Sequence, residues 1–261
     1  MAKDRQETGS TISTVETAFS ILETIGAAGR IRPASLAKEL GLVRANVHRL
    51  LRTLDYLGYV ERDESGQYHL TFSLFELGNT VPHSKHLIDT ARPSMLRLAQ
   101  LTGETVNNGV LFEGEVLYID KVETTTHLKL DREIGSTDPP HCTSLGKVLL
   151  AFQGRDRRTE LVSNLELVRR TENTITDPWR LEEELERVLR QGYAVDTQEL
   201  SHELNCVAAP VFDGRGILRS AISVSGPALR FTHEKIEALV GDLKATAREI
   251  TRSLSSFGPD Y

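Results

Sequence analysis

Apolar residues along Ser35–Leu54, SLAKELGLVRANVHRLLRTL, fall where two short helices crossing at a steep angle need them. Leu36, Leu40 and Leu42 bracket a turn, and Val47, Leu50, Leu51 and Leu54 recur at helical spacing on one face. Ala37 is small where the helices would cross, and Gly41 is free to take the left-handed conformation that ends the first helix. The second helix then turns Arg44, Ala45, Asn46, His48, Arg49 and Arg52 away from the apolar seam. Three arginines and an asparagine on a short helix suit a DNA major groove. The same two helices also occur in bundles that never meet nucleic acid, so the next segment decides between the readings. Tyr59–Asp63, a polar turn at Glu64-Ser65-Gly66, and Gln67–Leu70 predict a hairpin directly after the helix pair. Together they predict a winged helix-turn-helix.

The rest of the chain alternates between the two periods. A first helix is expected over Val15–Ala28, with Val15, Phe19, Leu22 and Ile25 on one face and Gly29 at its end. Phe72–Asn79 and Leu87–Leu101 read as helices separated at Val81-Pro82, a connector whose Leu74, Phe75 and Leu77 are candidates for pairing with a second copy. Strands are expected over Thr105–Leu111, Glu115–Val122 and Leu128–Glu133, the first two joined at Glu113-Gly114. Helices follow at Ser144–Gln153 and Pro178–Gln191, the latter with Thr176 as cap and Gly192 just past its end. After a strand at Tyr193, Asn205–Phe212 and Ile217–Ser225 flank the turn Asp213-Gly214-Arg215-Gly216, and a long helix starts after Thr232. Strands and helices in this order predict an α+β domain.

Charge and composition narrow the function. The 261 residues carry a net charge of −6, which argues against a diffuse polyelectrolyte binder. Through residue 70 there are nine Lys/Arg and nine Asp/Glu, so nonspecific DNA affinity should be modest and salt-sensitive, and a dimer is the natural remedy. The polar start MAKDRQETGS is read as a disordered tail, neither signal peptide nor spanning helix, and no apolar run reaches membrane length. With only Cys142 and Cys206, far apart, a secreted disulfide framework is not expected and the compartment is read as the cytoplasm.

The second half has no G-x-S-x-G elbow, phosphate loop, H-E-x-x-H or paired C-x-x-C. Four patches remain. His141–Lys147 opens a helix whose free N–H groups favour a small anion or carboxylate, unless Thr143 or Ser144 merely caps it. Asp196 and Glu199 follow the strand at Tyr193. Cys206 sits in an apolar strand, where a cysteine is ordinarily a small core residue. Ser223 and Ser225 are two apart and share one sheet face, and buried hydroxyls need partners that a polar ligand can supply. If these converge they make a pocket for a carboxylate-bearing metabolite. A metal is the sharper alternative, since His141, Cys142, Asp196, Glu199, His202 and Cys206 are ligand types, but their spacing matches no zinc pattern and no metal or cofactor is expected.

The motifs GLVRANVHRLLRTLDYLGYVERD, YHLTFSLFELG, CTSLGKVLLAF, QGYAVD, NCVAAPVFD and AISVSGP, in this order, resemble the IclR family of bacterial transcriptional regulators over essentially the whole chain. The resemblance implies a winged helix-turn-helix over residues 11–72, linker helices over 73–101 and a GAF-like effector domain over 83–258. It implies dimers or tetramers on double-stranded operator DNA, and repression or activation of a catabolic operon, with repression the first reading, switched by a small organic acid. Carried over, the effector pocket involves Ser144, Leu145, Asp196, Cys206, Ser223 and Ser225. YHLTFSLFELG and GKVLLA are most similar to the sugar-acid, ketodeoxygluconate-type branch. Two departures stand out. Val43-Arg44-Ala45-Asn46 replaces the family's usual Pro-Lys-Ser-Thr, so the operator cannot be borrowed, and Asn46 is free to read adenine. Glu203 replaces a common glycine three residues before Cys206, which places a carboxylate at the expected pocket rim. Two competing readings are an architectural DNA protein whose second domain only oligomerises, and a thiol enzyme using Cys142 or Cys206 with His141.

Overall fold

The computed structural model describes residues 11–81, 84–123 and 132–255, in two compact units that divide between Val81 and Pro82. The expected tail at 1–10 lies outside the described residues.

The first unit comprises α1 (Ser13–Ala28), α2 (Pro33–Glu39), α3 (Arg44–Tyr56), β1 (Val60–Arg62), β2 (Tyr68–Leu70) and α4 (Phe72–Asn79). Pro33 at the first position of α2 needs no N–H partner, and Gly41 just past its end takes φ 64, as expected for a left-handed stop. Leu36 and Ala37 from α2 and Val47, Leu51 and Leu54 from α3 are buried against Ile21 and Ile25 of α1 and Val60 and Tyr68 of the hairpin. The hairpin is closed by Asp63, whose carboxylate accepts from the Ser65 hydroxyl at 2.7 Å and the Gln67 N–H at 3.0 Å. Gly66 there takes φ 80.

One expectation for this unit is corrected. The face of α1 that enters the core is Ile21 and Ile25, with Leu22 partly buried, while Val15 and Phe19 are 50% and 60% exposed. The helix is apolar over more than one face, and the periodicity alone does not say which row the core takes.

The second unit is a six-stranded antiparallel sheet covered on both faces. Its elements are α5 (Ser84–Thr102), β3 (Thr105–Phe112), β4 (Glu115–Val122), β5 (Thr137–Asp138), a 3₁₀ turn (Pro140–Cys142), α6 (Ser144–Ala151), α7 (Arg155–Ser163), α8 (Pro178–Gln191), β6 (Ala194–Thr197), β7 (Leu204–Phe212), β8 (Leu218–Pro227) and α9 (His233–Ser255). The strand order is β5-β4-β3-β8-β7-β6. One face meets α5 and α9 through Ala91, Met95, Leu98, Val207, Ile222, Val224 and Leu243. The other meets α6, α7 and α8 through Leu145, Leu149, Leu161, Leu181 and Leu185 against Ala208 and Ala221. Small residues at Ala208 and Ala221 let α6 approach the sheet. Glu113 at φ 51 and Gly114 at φ 83 make the tight turn between β3 and β4.

The expected strand Leu128–Glu133 lies mainly outside the described residues, and Arg132 and Glu133 belong to no strand. The cap of α8 is Asp177, not Thr176: its Oδ1 accepts from the Arg180 N–H at 2.9 Å. Asp177 stands three residues before that N–H, the reach a capping carboxylate needs, and Thr176 is one residue too far. Among the described residues no helix is long and apolar enough to cross a membrane.

Candidate functional site

The first unit presents α3. Arg44, Ala45, Asn46, His48, Arg49 and Arg52 are all exposed, because Val47, Leu51 and Leu54 take the opposite face into the core. Ala45, His48, Arg49 and Arg52 line a shallow surface groove together with Thr53 and Tyr56. Arg44 and Asn46 stand at the start of the helix, outside the groove lining. Thr53 and Tyr56, the latter 89% exposed, extend the same row by one turn; Thr53 carries no charge or amide to single it out, and Tyr56 lies beyond the motif that ends at Leu54. The helical period continues through Tyr56 and carried that signal.

In the second unit, sheet register brings one row of polar side chains together. Asp196 pairs with Cys206, Cys206 with Ser225, and Ser225 with Thr105, so four strands contribute to one line. Ser223 and Asn107 pair in the next row. Both rows face a cavity that is also lined by Thr143, Ser144 and Leu145 at the start of α6, and by Tyr118, Arg132, Glu104 and Arg230. All six residues expected to form an effector pocket, Ser144, Leu145, Asp196, Cys206, Ser223 and Ser225, line this one cavity.

At the start of α6, Thr143 Oγ1 accepts from the Gly146 N–H at 3.1 Å, and the Lys147 N–H donates to the Thr143 carbonyl at 2.9 Å. The first two amides of the helix, Ser144 and Leu145, have no backbone acceptor among the described residues. The sequence allows capping or anion binding; here the cap uses the third amide and leaves the first two, in residues that line the cavity, without a backbone acceptor. The tight packing behind them depends on Gly146, where an added Cβ would lie 2.2 Å from Pro140 Cα.

The charged groups have distinct situations. Arg132 pairs with Asp138 at 2.6 Å, and the Tyr118 hydroxyl donates to the same carboxylate at 3.0 Å. Arg230 makes two hydrogen bonds to Glu104, each 2.8 Å. Burial pushes the Asp196 carboxyl up to about 7, opposed by the Lys147 ammonium. The site therefore joins backbone amides and two arginines to a buried carboxylic acid, an amide and hydroxyls.

Two inferences from the sequence change. The Ser223 and Ser225 hydroxyls do have a partner within the sheet: Asn107 Nδ2 reaches Ser223 Oγ at 3.5 Å and Ser225 Oγ at 3.2 Å. Asn107 went unnoticed because a polar residue in a strand gives no hint of what lies across two ladders. Glu203 does not reach the cavity rim. It is exposed and absent from the lining, and the acids that do line the wall are Glu104 and Asp196. The backbone turn at Ser201–Leu204 points Glu203 to solvent, while its carbonyl accepts from Ala228 N–H at 2.8 Å. Tyr118, Arg132, Glu104 and Arg230 were also missed, since each comes from a segment with no local motif.

Neither cysteine is an activated nucleophile. Burial pushes the Cys142 thiol up to about 12 and raises Cys206 as well, with the Asp196 charge adding to both. His141 Nε2 lies 3.1 Å from the Val168 carbonyl, and burial holds its pKa down. Among the described residues no cluster of three His, Cys, Asp or Glu is placed to hold a metal.

The comparisons with known proteins agree with this geometry. Residues 14–64 match the IclR helix-turn-helix domain, and residues 79–252 match the bacterial transcriptional regulator IclR C-terminal domain. The chain belongs to the IclR family. It is 36% identical over 244 residues to the HTH-type transcriptional regulator KdgR of Escherichia coli strain K12, covering 93% of each chain. Among solved structures, Thermotoga maritima IclR superposes with a TM-score of 0.77 at 33% identity, covering 94% of this chain and 99% of that one. An IclR homolog from Microbacterium hydrocarbonoxydans, complexed with 4-hydroxybenzoate, superposes with a TM-score of 0.84 at 25% identity, covering 92% and 98%. This IclR-family chain is thus a DNA-binding transcriptional regulator, with a winged helix-turn-helix and an α+β domain of the GAF-like kind. The family consists of regulators, and the thiol-enzyme and purely architectural readings have no support in it.

Proposed function

We propose that the chain represses a catabolic operon and that a small carboxylate or sugar acid, bound in the cavity of the second unit, alters its hold on operator DNA. The observation that carries the reading is the pairing of unlike chemistries across one cavity. Ser144 and Leu145 N–H groups suit a carboxylate, and Asp196, Ser223, Ser225 and Asn107 suit hydroxyls. Cys206 supplies a small apolar wall between them. The 4-hydroxybenzoate in the complex of the Microbacterium homolog supports an acid as effector.

In this reading residues 11–72 read DNA through Arg44, Ala45, Asn46, His48, Arg49 and Arg52, residues 73–101 connect, and 83–258 sense. The protein works in the cytoplasm as a homodimer or a tetramer. Ile12 just before α1, Val15 and Phe19 on α1, and Phe72, Phe75 and Leu77 on α4 leave apolar side chains exposed that a second copy would cover. Thermal-shift screening of the full chain against sugar acids and aromatic acids tests the assignment. A stabilising acid whose effect disappears in Ser223→Ala and Asp196→Ala supports it, and stabilisation unchanged in both variants moves the pocket elsewhere.

A further inference from the structure

Lys147 is the largest fully buried side chain of the second unit and ends in a charge, 1% exposed. Its ammonium donates to the Val195 carbonyl and to Glu199 Oε1 at 2.5 Å, and lies 3.6 Å from Glu184 Oε1. Burying an ammonium with carboxylates is costly, and such pairs seldom add net stability over an apolar side chain of the same volume. Stability is therefore a weak reason for a lysine here, and what it connects is more informative.

Lys147 sits one turn along α6 from the Ser144 and Leu145 amides. It grips the backbone immediately before Asp196 and the side chain of Glu199, whose own N–H donates to Asp196 Oδ1 at 2.7 Å. The segment it grips is conformationally unusual. Gln198 is a non-glycine residue at φ 57, a left-handed conformation that persists only where surroundings fix it. Those surroundings are present: Thr171 Oγ1 donates to the Gln198 carbonyl at 2.6 Å and Thr174 Oγ1 to the Glu199 carbonyl at 2.7 Å.

We propose that Lys147 is a positioning residue of the effector site, locking the start of α6 and the Val195–Glu199 segment into one body so that amide donors and the Asp196 carboxyl face the cavity at a fixed separation. The inference rests on reading that cavity as the effector site. It assigns Lys147 no contact with the effector and makes it responsible for two groups that have one. It also gives Lys147 an electrostatic effect. Lys147 from α6 favours the ionised form of Asp196 and Glu199 from the loop after β6 opposes it, Cys142 from the 3₁₀ turn and Cys206 from β7 feel the Asp196 charge in turn, and the two arginines that line the same cavity, Arg132 and Arg230, are paired with Asp138 and Glu104.

The test follows the Asp196 carboxyl carbon by NMR in the full chain carrying ¹³C-labelled aspartate, its signal assigned with Asp196→Asn. In the unsubstituted protein the midpoint is expected near 7. Lys147→Met should raise it by about one pH unit or more, and Glu199→Gln should lower it, since the first removes the cation and the second the neighbouring acid. A midpoint unmoved by both variants, or moved the same way by both, overturns the proposal. Should Lys147→Met fail to fold, Glu199→Gln decides by the sign of its shift. The same samples are then titrated with gluconate, 2-keto-3-deoxygluconate and 4-hydroxybenzoate. An acid that shifts the Asp196 signal in the unsubstituted chain should bind at least about tenfold more weakly to Lys147→Met, about 1.4 kcal/mol; equal affinity contradicts the positioning role. If Lys147→Met moves the midpoint but no acid perturbs the signal, the effector reading fails and the electrostatic hold of Lys147 on Asp196 stands.

Discussion

Thr143 Oγ1 accepts the N–H of Gly146 at 3.1 Å, and this one hydrogen bond fixes how much of the α6 terminus is left for a ligand. A cap on the third amide leaves those of Ser144 and Leu145 without a backbone acceptor, in residues that line the cavity together with the row Asp196, Cys206 and Ser225. A ligand bearing a carboxylate and hydroxyls is matched by this arrangement end to end.

Gly146 makes that wall possible. A side chain there would drive a Cβ to 2.2 Å from Pro140 Cα and 2.3 Å from its carbonyl oxygen, and both are backbone atoms that cannot swing away. Gly146→Ala should cost about 1–3 kcal/mol of stability in the second unit. Thermal unfolding would register this as a lowered midpoint, and a variant as stable as its parent would show that the 3₁₀ turn yields freely.

Recognition of DNA and of effector should separate by mutation. Arg44→Ala and Arg49→Ala each remove an exposed guanidinium from α3, within the first unit. Operator affinity should fall, by about 1–3 kcal/mol where a base is read, or with a salt slope reduced by about one where a phosphate is met. Calorimetric affinity for the effector should be unchanged. Operator binding equal to that of the parent protein would place the reading face elsewhere.

The buried acid gives a pH signature. Burial raises Asp196 from 3.8 to about 7, so the folded chain holds that proton more tightly than the unfolded chain. Its contribution to stability is fully present below the unfolded value and is lost as pH rises through about 7. Asp196→Asn removes the ionised form altogether. At pH 8 the variant should melt about 5 °C or more above its parent, with the difference shrinking by pH 5. A variant less stable at pH 8 than at pH 5, relative to its parent, would mean that the ionised carboxylate is favoured in the fold.

Both thiols should be slow to react. With Cys142 pushed up to about 12 and Cys206 raised further by burial, almost no thiolate exists at neutral pH. Iodoacetamide should label neither in the native chain, while both label after unfolding. Rapid native labelling would revive the idea of a reactive cysteine.

Much of this was legible in the sequence because it is local. Leu36, Val47, Leu51 and Leu54 announce two helices through their spacing, and Gly41 and Gly66 mark where the chain turns. Asp196, Cys206, Ser223 and Ser225 are also readable, since each sits in a strand whose alternation fixes its face. What could not be read depends on pairing across elements. Asn107 meets Ser225 only because β3 lies beside β8, a neighbour far away in the chain. Glu203 was misplaced for the converse reason: its nearness to Cys206 in sequence says nothing of the turn that sends it outward. The buried face of α1 was ambiguous because both Phe19 and Ile21 are apolar, and only the packing of α2 and α3 selects between them.

The central claim is that an acid in the cavity changes the grip of α3 on DNA. Fluorescence anisotropy at fixed salt, on duplex from the region upstream of the chain's own coding sequence, tests it with and without sugar acids. Specific binding that one acid shifts by about five-fold or more, with the shift abolished in Ser223→Ala, is the predicted result. Specific binding that no acid alters, at concentrations that saturate the cavity, would contradict it.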